Sequence, residues 1–169
     1  DFKYNKIRAS IGSKERYGEF TNSELSSGGL TVAGNARPVP QVRVELPDYL
    51  AIPGTGEWLS FRGHVAYGRF TDDNWQKDFT TPTGKRTTDV LYHSKAIYVK
   101  VGKEHVSPWK FEFGLQMEAE FGGTQYSNGK TFRMPSKLKD YFKALVPMSG
   151  GKDTPPGDQA NIEGNQLGS

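Results

Sequence analysis

Residues 110–121 constrain the fold more than any other stretch, because apolar and polar side chains alternate there without a break. One side of the stretch is entirely apolar and consists of Phe111, Phe113, Leu115, Met117, Ala119 and Phe121. The other side consists of Lys110, Glu112, Gly114, Gln116, Glu118 and Glu120. A period of two places successive side chains on opposite faces of a β-strand. We therefore predict one long strand with an apolar face and a charged face.

The length of this strand is compatible with two kinds of protein. Strands of soluble proteins are most often about five or six residues long. A transmembrane β-strand needs roughly nine to eleven residues, with lipid on one side and a polar lumen on the other. Taken alone, the strand fits a soluble sandwich with its apolar face inward as well as it fits a membrane barrel.

Alternation also predicts strands at residues 41–46, 58–70 and 88–101. A first strand is expected at residues 2–11, with Phe2, Tyr4 and Lys6 on one face, and a short strand at residues 30–34. Successive strands joined in this way form an antiparallel up-and-down meander. The predicted fold class is therefore all-β.

The connections between these strands alternate in length. Residues 71–87 form a long polar connection, residues 102–108 a short one, and residues 122–163 a long one that holds a predicted helix at 136–145. Outer-membrane barrels have long loops at the outer face and short turns at the periplasmic face. Strand length, purity of the faces and loop lengths together favour a segment of a transmembrane outer-membrane β-barrel, with the short helix in a long outer loop.

The two ends of the chain look cut. The first residues are already strand-like, and residues 166–169 resemble the start of another strand. We therefore expect residues 1–169 to form a single segment of a larger barrel, whose remaining strands lie in the rest of a longer protein.

Composition excludes several classes of function. Mean hydropathy is −0.68, and no run approaches eighteen apolar residues, which excludes a transmembrane helix. The net charge is +3, and no run of Lys and Arg is dense enough to indicate a nucleic-acid-binding protein. The chain has no cysteine and no zinc spacing, phosphate loop or nucleophile motif, so no cofactor or metal is predicted.

Residues 72–75, three polar residues followed by a tryptophan, form the first candidate binding site. Asp72, Asp73 and Asn74 precede Trp75 in the long connection. An indole ring stacks on the apolar side of a pyranose while carboxylates and amides hydrogen-bond its hydroxyls. This pattern favours sugar contact, whereas an interfacial or locally packed tryptophan is the alternative. A calcium loop is disfavoured because the central glycine and closing glutamate are missing.

The charged strand faces form the second candidate site. Glu112, Glu118 and Glu120 share a face, which in principle would suit the paired carboxylates of a glycosidase. Polar barrel lumens are lined by charge in any case, and we favour that reading. His64 and His93 are explained better by lumen or surface positions than by metal ligation.

Several stretches of the sequence resemble those of a known protein family, both in their order along the chain and in their residues. They are GNARPVPQVRVELPDYLAIPG from Gly34, GHVAYGRFTDDNWQKDF from Gly63, VLYHSKAIYVKVG from Val90, FEFGLQMEAEFGGTQYSNG from Phe111 and GDQANIEGNQLGS from Gly157. Over nearly the whole chain the sequence resembles the capsule assembly protein family (Wzi-like) of Gram-negative outer membranes.

This resemblance implies a location and a function. Members of the family are larger outer-membrane β-barrels that help attach capsular polysaccharide to the cell surface in a lectin-like manner, without catalysis. The implied partners are capsular or surface polysaccharide and the lipid of the cell outer membrane. A segment of this length does not close such a barrel alone, because its edges would stay unpaired in lipid.

The resemblance assigns no binding residue, so the candidate polysaccharide contacts are taken from the strand faces and the loop. They are Arg62, His64, Asp72, Asp73, Asn74, Trp75, Glu112, Gln116 and Glu118. Two other functions fit the same pattern: a porin-like diffusion channel, and a soluble β-sandwich that binds or cleaves glycans.

Overall fold

The computed structural model describes residues 1–16, 37–134 and 136. They form antiparallel β-sheets with one short helix. The elements are β1 (Phe2–Tyr4), β2 (Ile7–Gly12), β3 (Gln41–Ala51), β4 (Leu59–Arg69), α1 (Trp75–Phe79), β5 (Arg86–Thr88), β6 (Leu91–Val101), β7 (Phe111–Phe121), β8 (Thr124–Ser127) and β9 (Lys130–Arg133). A six-stranded sheet has the order β1-β2-β3-β4-β6-β7, and a three-stranded sheet has the order β5-β8-β9. The predicted all-β meander is confirmed, and the described strands form no closed barrel.

The first predicted strand is a hairpin instead. β1 and β2 are joined at Asn5 and Lys6, and Tyr4 pairs with Ile7. Asn5 has φ of 54°, a left-handed conformation that asparagine tolerates in tight turns. The prediction of one strand over residues 2–11 is therefore wrong. The hairpin places Phe2, Tyr4 and Ile7 on one face, since paired residues in a sheet share a face.

The three long strands β4, β6 and β7 match their predictions closely. They pair without a register shift, from Leu59↔Val101 to Arg69↔Leu91 and from Val101↔Phe111 to Leu91↔Phe121. β3 is longer than predicted and bulged. Leu46 pairs with Gly63 and Leu50 with Phe61, so residues 47–49 face the single residue Arg62.

Both long connections contain secondary structure that alternation did not reveal. The connection after β4 holds α1 and β5, and Asp89 with φ of 61° separates β5 from β6. Residues 122–163 open with the hairpin β8–β9, whose turn at Asn128 and Gly129 has positive φ at both positions. β5 pairs with β8, so the two connections build the small sheet together.

Other predicted elements lie outside the described residues. These are the strand at residues 30–34 and the helix at 136–145, apart from Ser136. No helix in the described ranges is long and apolar enough to cross a membrane.

Direct pairing defines two faces of the six-stranded sheet. The row Arg43–Ala66–Ser94–Glu118 lies on what we term the polar face. The row Leu46–Gly63–Ile97–Leu115 lies on what we term the apolar face. Each face continues along the strands by the period of two.

The burial of the two faces is the reverse of that in a soluble sheet. On the polar face, Ala66 is 1% exposed and even Arg43 only 8%. On the apolar face, Phe113 and Leu115 are 64% and 65% exposed. Large exposed residues on this face also include Phe2, Tyr4, Ile7, Ile11, Val42, Val44, Val65, Ile97 and Phe111.

One corner of the apolar face is covered. His93, Met117, Ala119 and Phe121, at the far ends of β6 and β7, are buried. The ring of Phe121 lies 5.7 Å from the ring of Tyr67. Exposure of the apolar face is therefore confined to the other part of the sheet.

Candidate functional site

The polar face is built from small residues at its centre and long residues around them. Ala66, Ser94 and Ala96 on the central strands are all buried. On β3, beside these small residues, Arg43 Nε donates to Glu45 Oε2 at 2.6 Å. Even this arginine is only 8% exposed.

A hydrogen-bond network crosses β4, β6 and β7 on this face. His64 Nε2 and Ser94 Oγ share a hydrogen bond of 2.9 Å. The Tyr98 hydroxyl donates to Gln116 Oε1 at 3.5 Å. Glu118 lies on the same face and interacts electrostatically with Tyr92, Gln116 and Ser94. Three of the predicted contacts, His64, Gln116 and Glu118, are thus brought together on one face.

Arg62 lies among aromatic rings. Its guanidinium carbon lies 4.4 Å from the ring centroid of Tyr98 and 5.2 Å from that of Tyr49. The Lys100 ammonium lies 4.6 Å from the same Tyr49 ring. Tyr49 reaches this position because it stands in the bulge of β3 opposite Arg62. Cation–π attraction of roughly 0.5–2 kcal/mol per contact stabilises such stacking.

Glu112 lies apart from this network, near the short turn between β6 and β7. It is exposed and pairs across the sheet with Lys100. The Lys100 ammonium itself donates to Glu104 in the turn, at 2.8 Å, and Lys110 donates to the same carboxylate at 2.9 Å. Hydrogen bonds from Lys100 and Lys110, with their positive charges, lower the pKa of Glu104 to about 2.

The loop candidates form a second group, at α1. The Asp72 carboxylate accepts hydrogen bonds from the backbone N–H groups of Asn74 and Gln76, each at 3.2 Å. Asp73 and Asn74 have φ of 50° and 62° and are exposed. Trp75 begins the helix and is exposed as well. Asp72 is thus committed to the turn, while the other three present their side chains to solvent.

The predicted contacts therefore divide into two groups. Arg62, His64, Gln116 and Glu118 line the polar face of the sheet, with Glu112 at its edge. Asp72, Asp73, Asn74 and Trp75 occur together in the turn that leads into α1.

Several residues of these groups were missed by sequence reasoning. Ser94 and Tyr98 share the strand face of the predicted residues, so the same alternation would have included them. Tyr49 had no such signal, because only the bulge turns it toward Arg62. Phe79 follows Trp75 at the i, i+4 spacing of a helix, a signal visible only if a helix is assumed there.

The described side chains of the polar face can form hydrogen bonds, but they are not arranged as a nucleophile triad or a metal site. In a nucleophile triad the carboxylate hydrogen-bonds the histidine, whereas Glu118 lies on β7 directly opposite Ser94. Ser94 and His64 are both buried. In the described part of the chain, no three His, Asp or Glu side chains lie close enough together to hold a metal ion.

Comparison with protein-family models, with curated proteins and with solved structures finds no significant match.

Proposed function

We propose that the six-stranded sheet is part of the wall of an outer-membrane β-barrel, and that the protein binds capsular or surface polysaccharide without catalysis. One observation carries the proposal: a long-stranded sheet buries its charged face and exposes its apolar face. In water, each exposed large apolar side chain costs roughly 1.5–3 kcal/mol relative to burial. In lipid the same exposure is favourable, and a barrel wall has this arrangement.

The shape of the exposed area supports a membrane location. On the four strands from β7 to β3, its large apolar members are Phe111, Phe113 and Leu115 on β7, Ile97 on β6, Val65 on β4, and Val42 and Val44 on β3. By register, Val44 aligns with Met117 and Val42 with Ala119. From β7 to β3 the exposed band therefore crosses the strands obliquely, advancing by about one to two residues per strand. The exposed residues of β1 and β2 do not continue this advance.

This oblique course has the inclination expected of tilted strands. At about 3.4 Å per residue and about 4.8 Å between strands, one to two residues per strand correspond to roughly 35–55°. Strands of outer-membrane barrels tilt by about 35–45° relative to the barrel axis. A band of lipid perpendicular to that axis would cross this sheet along such a line.

Aromatic residues border the band at the short-turn end. Trp58 and Trp109 are both exposed. Gly102 lies close to both, because its N–H donates to the Trp58 carbonyl at 2.9 Å and a Cβ added to it would lie 2.7 Å from the Trp109 carbonyl oxygen. Tryptophan favours the interface between lipid and water, because its ring is apolar and its N–H is polar. On β6 the band ends at Lys95, whose ammonium can extend toward the opposite interface.

The proposal of polysaccharide binding is supported by the polar groups of the sheet and loop and by the resemblance to capsule assembly proteins. The polar face offers carboxylate, amide and guanidinium groups, and α1 adds the exposed indole of Trp75. Many weak contacts along a repeating polymer sum by avidity. The protein would thereby help attach the capsule to the cell surface.

A diffusion channel is the second candidate, favoured by the distribution of charge on the polar face. Arg8, Arg43 and Arg62 lie on β2, β3 and β4, where Glu45 pairs with the first two, and the charged residues of β7 on this face are Glu112, Glu118 and Glu120. Such a lumen would conduct ions selectively. Single-channel conductance in planar bilayers separates this candidate from polysaccharide binding.

Two experiments test the proposal. The polypeptide, extracted from membranes in detergent, is expected to migrate differently on a gel before and after boiling, because a folded barrel resists the detergent. Affinity electrophoresis through gels that contain surface polysaccharide is expected to retard the folded form. A protein that shows no heat shift and is soluble without detergent would instead be a soluble sandwich that binds or cleaves glycans.

A further inference from the structure

The short helix α1 carries two exposed aromatic rings that pack on each other and on little else. Trp75 is 63% exposed and Phe79 is 77% exposed. Their ring centroids lie 5.7 Å apart, with the ring planes inclined by 32°. No residue of α1 is buried. The helix therefore contributes nothing to a core, although two of its five residues are large and aromatic.

This pair is held in place by hydrogen bonds on both sides of the helix. The Asp72 carboxylate accepts from the N–H groups of Asn74 and Gln76, and the Trp75 N–H donates to the Asp72 carbonyl at 2.9 Å. The Gln76 side chain accepts from the Thr87 N–H at 3.1 Å, which ties α1 to β5. A helix tied at its start and at its middle presents its rings in a fixed orientation, which lowers the entropy cost of binding.

The groups around the rings decide which ligand fits. Asp73, Asn74 and Asp78 are exposed beside them. Carboxylates would be costly to bury in a bilayer and would repel anionic headgroups. Around an aromatic face they are suitable acceptors for the hydroxyl groups of a sugar whose apolar side lies on the ring.

We propose that Trp75 and Phe79 form a platform on which two consecutive uncharged pyranose units of a polysaccharide stack. The proposal rests on the polysaccharide binding proposed above and names the surface and the sugar class for it. Two adjacent rings offer more stacking length than one sugar needs. Within residues 72–79, three carboxylates, Asp72, Asp73 and Asp78, stand against one cation, Lys77, which disfavours acidic units at this point of the polymer.

Affinity electrophoresis with two substitutions tests the platform. The probe is surface polysaccharide extracted from cells that make the protein, either untreated or with its carboxyl groups reduced. Trp75→Ala and Phe79→Ala are each expected to weaken retardation by about three- to tenfold, as loss of one stacking contact would. Trp109→Ala, which removes an indole that is 73% exposed near the short β6–β7 turn, is the matched control and is expected to bind normally. Phe79→Tyr keeps the ring and is expected to restore binding.

The outcomes separate the two proposals. Unchanged retardation of both alanine variants, with wild-type protein retarded, would overturn the platform and leave polysaccharide binding standing elsewhere. Loss of wild-type binding on carboxyl reduction would overturn the assignment to uncharged units. A heat-modifiable wild-type protein that is not retarded by either probe would overturn polysaccharide binding itself, and the platform with it.

Discussion

At the scale of single residues, Gly63 is the position on the apolar face where size is most restricted. A Cβ atom there would lie 2.3 Å from the carbonyl oxygen of Ala96 and 3.3 Å from the Cα of Ile97. Both are backbone atoms of the neighbouring strand, so no side-chain rotation relieves the contact. β4 and β6 approach each other closely at this point, and only glycine permits it.

Gly63→Ala is therefore expected to destabilise the folded protein by roughly 1–3 kcal/mol, because the two strands must separate locally. The midpoint of unfolding in urea, followed by tryptophan fluorescence, measures the change. Val65→Ala, on the same face of the same strand, is the control, with a smaller expected effect. Equal midpoints for the two variants would contradict the close approach.

Glu104 is the second residue with a specific expectation. Hydrogen bonds from Lys100 and Lys110 lower its pKa from 4.5 to about 2. Since the folded-state pKa is below the unfolded one, the interaction is fully present above pH 4.5 and is lost as the pH falls through about 2. The carboxyl is exposed, so solvent screens the pair and the stability effect is expected to be small.

The carboxyl carbon of Glu104, followed by NMR, is expected to titrate near pH 2. Replacing both lysines by methionine is expected to bring the titration back toward the ordinary range of about 4.3. A wild-type carboxyl that titrates in that ordinary range would show that the two lysines do not hold it in solution.

At the scale of elements, β7 expresses the difference between the two faces most clearly. Leu115 on the apolar face is largely exposed, while its neighbour Gln116 faces the other way and accepts a hydrogen bond from the Tyr98 hydroxyl at 3.5 Å. Two consecutive residues thus lie in different surroundings. In lipid, the same charged substitution should therefore destabilise the protein more at position 115 than at position 116.

Leu115→Arg is expected to destabilise the protein folded in lipid vesicles by about 2–4 kcal/mol, as a cation facing the bilayer core does. Gln116→Arg is the matched control with a smaller expected loss, because its side chain remains on the polar face. Urea titration of refolding into vesicles measures both. A larger loss for Gln116→Arg would reverse the assignment of the faces.

At the scale of the whole molecule, strict alternation predicted β4 and β7, because each keeps one face for its full length, whereas the weaker alternation of residues 88–101 predicted β6 with a start three residues too early. Turns and bulges were harder to predict from the sequence than these long strands. The β1–β2 hairpin turns at Asn5-Lys6, without the glycine that usually marks such a turn. The bulge that directs Tyr49 toward Arg62 depends on pairing with β4, which no local pattern records. Asn128-Gly129 was a readable hairpin signal, yet the strands beside it are only four residues long.

The same limit applies to the candidate sites. Residue types on the strand faces predicted which side chains share a surface, including His64, Gln116 and Glu118. They could not predict the partners of these residues, since His64 hydrogen-bonds Ser94 and Gln116 hydrogen-bonds Tyr98 only because β4, β6 and β7 pair in this register. In the loop, Trp75 was visible as an isolated aromatic, and its partner Phe79 required the helix.

The central claim is that the apolar face contacts lipid, and a tryptophan scan of β7 tests it most directly. The native residues Trp58, Trp75 and Trp109 are replaced by phenylalanine, and single tryptophans are introduced at positions 112, 113, 115 and 116. Each variant is reconstituted in vesicles of phospholipid with brominated acyl chains, which quench fluorescence on contact. Quenching is predicted at 113 and 115 and not at 112 and 116. Uniform quenching, its absence at all four positions, or quenching at 112 and 116 alone would contradict the account.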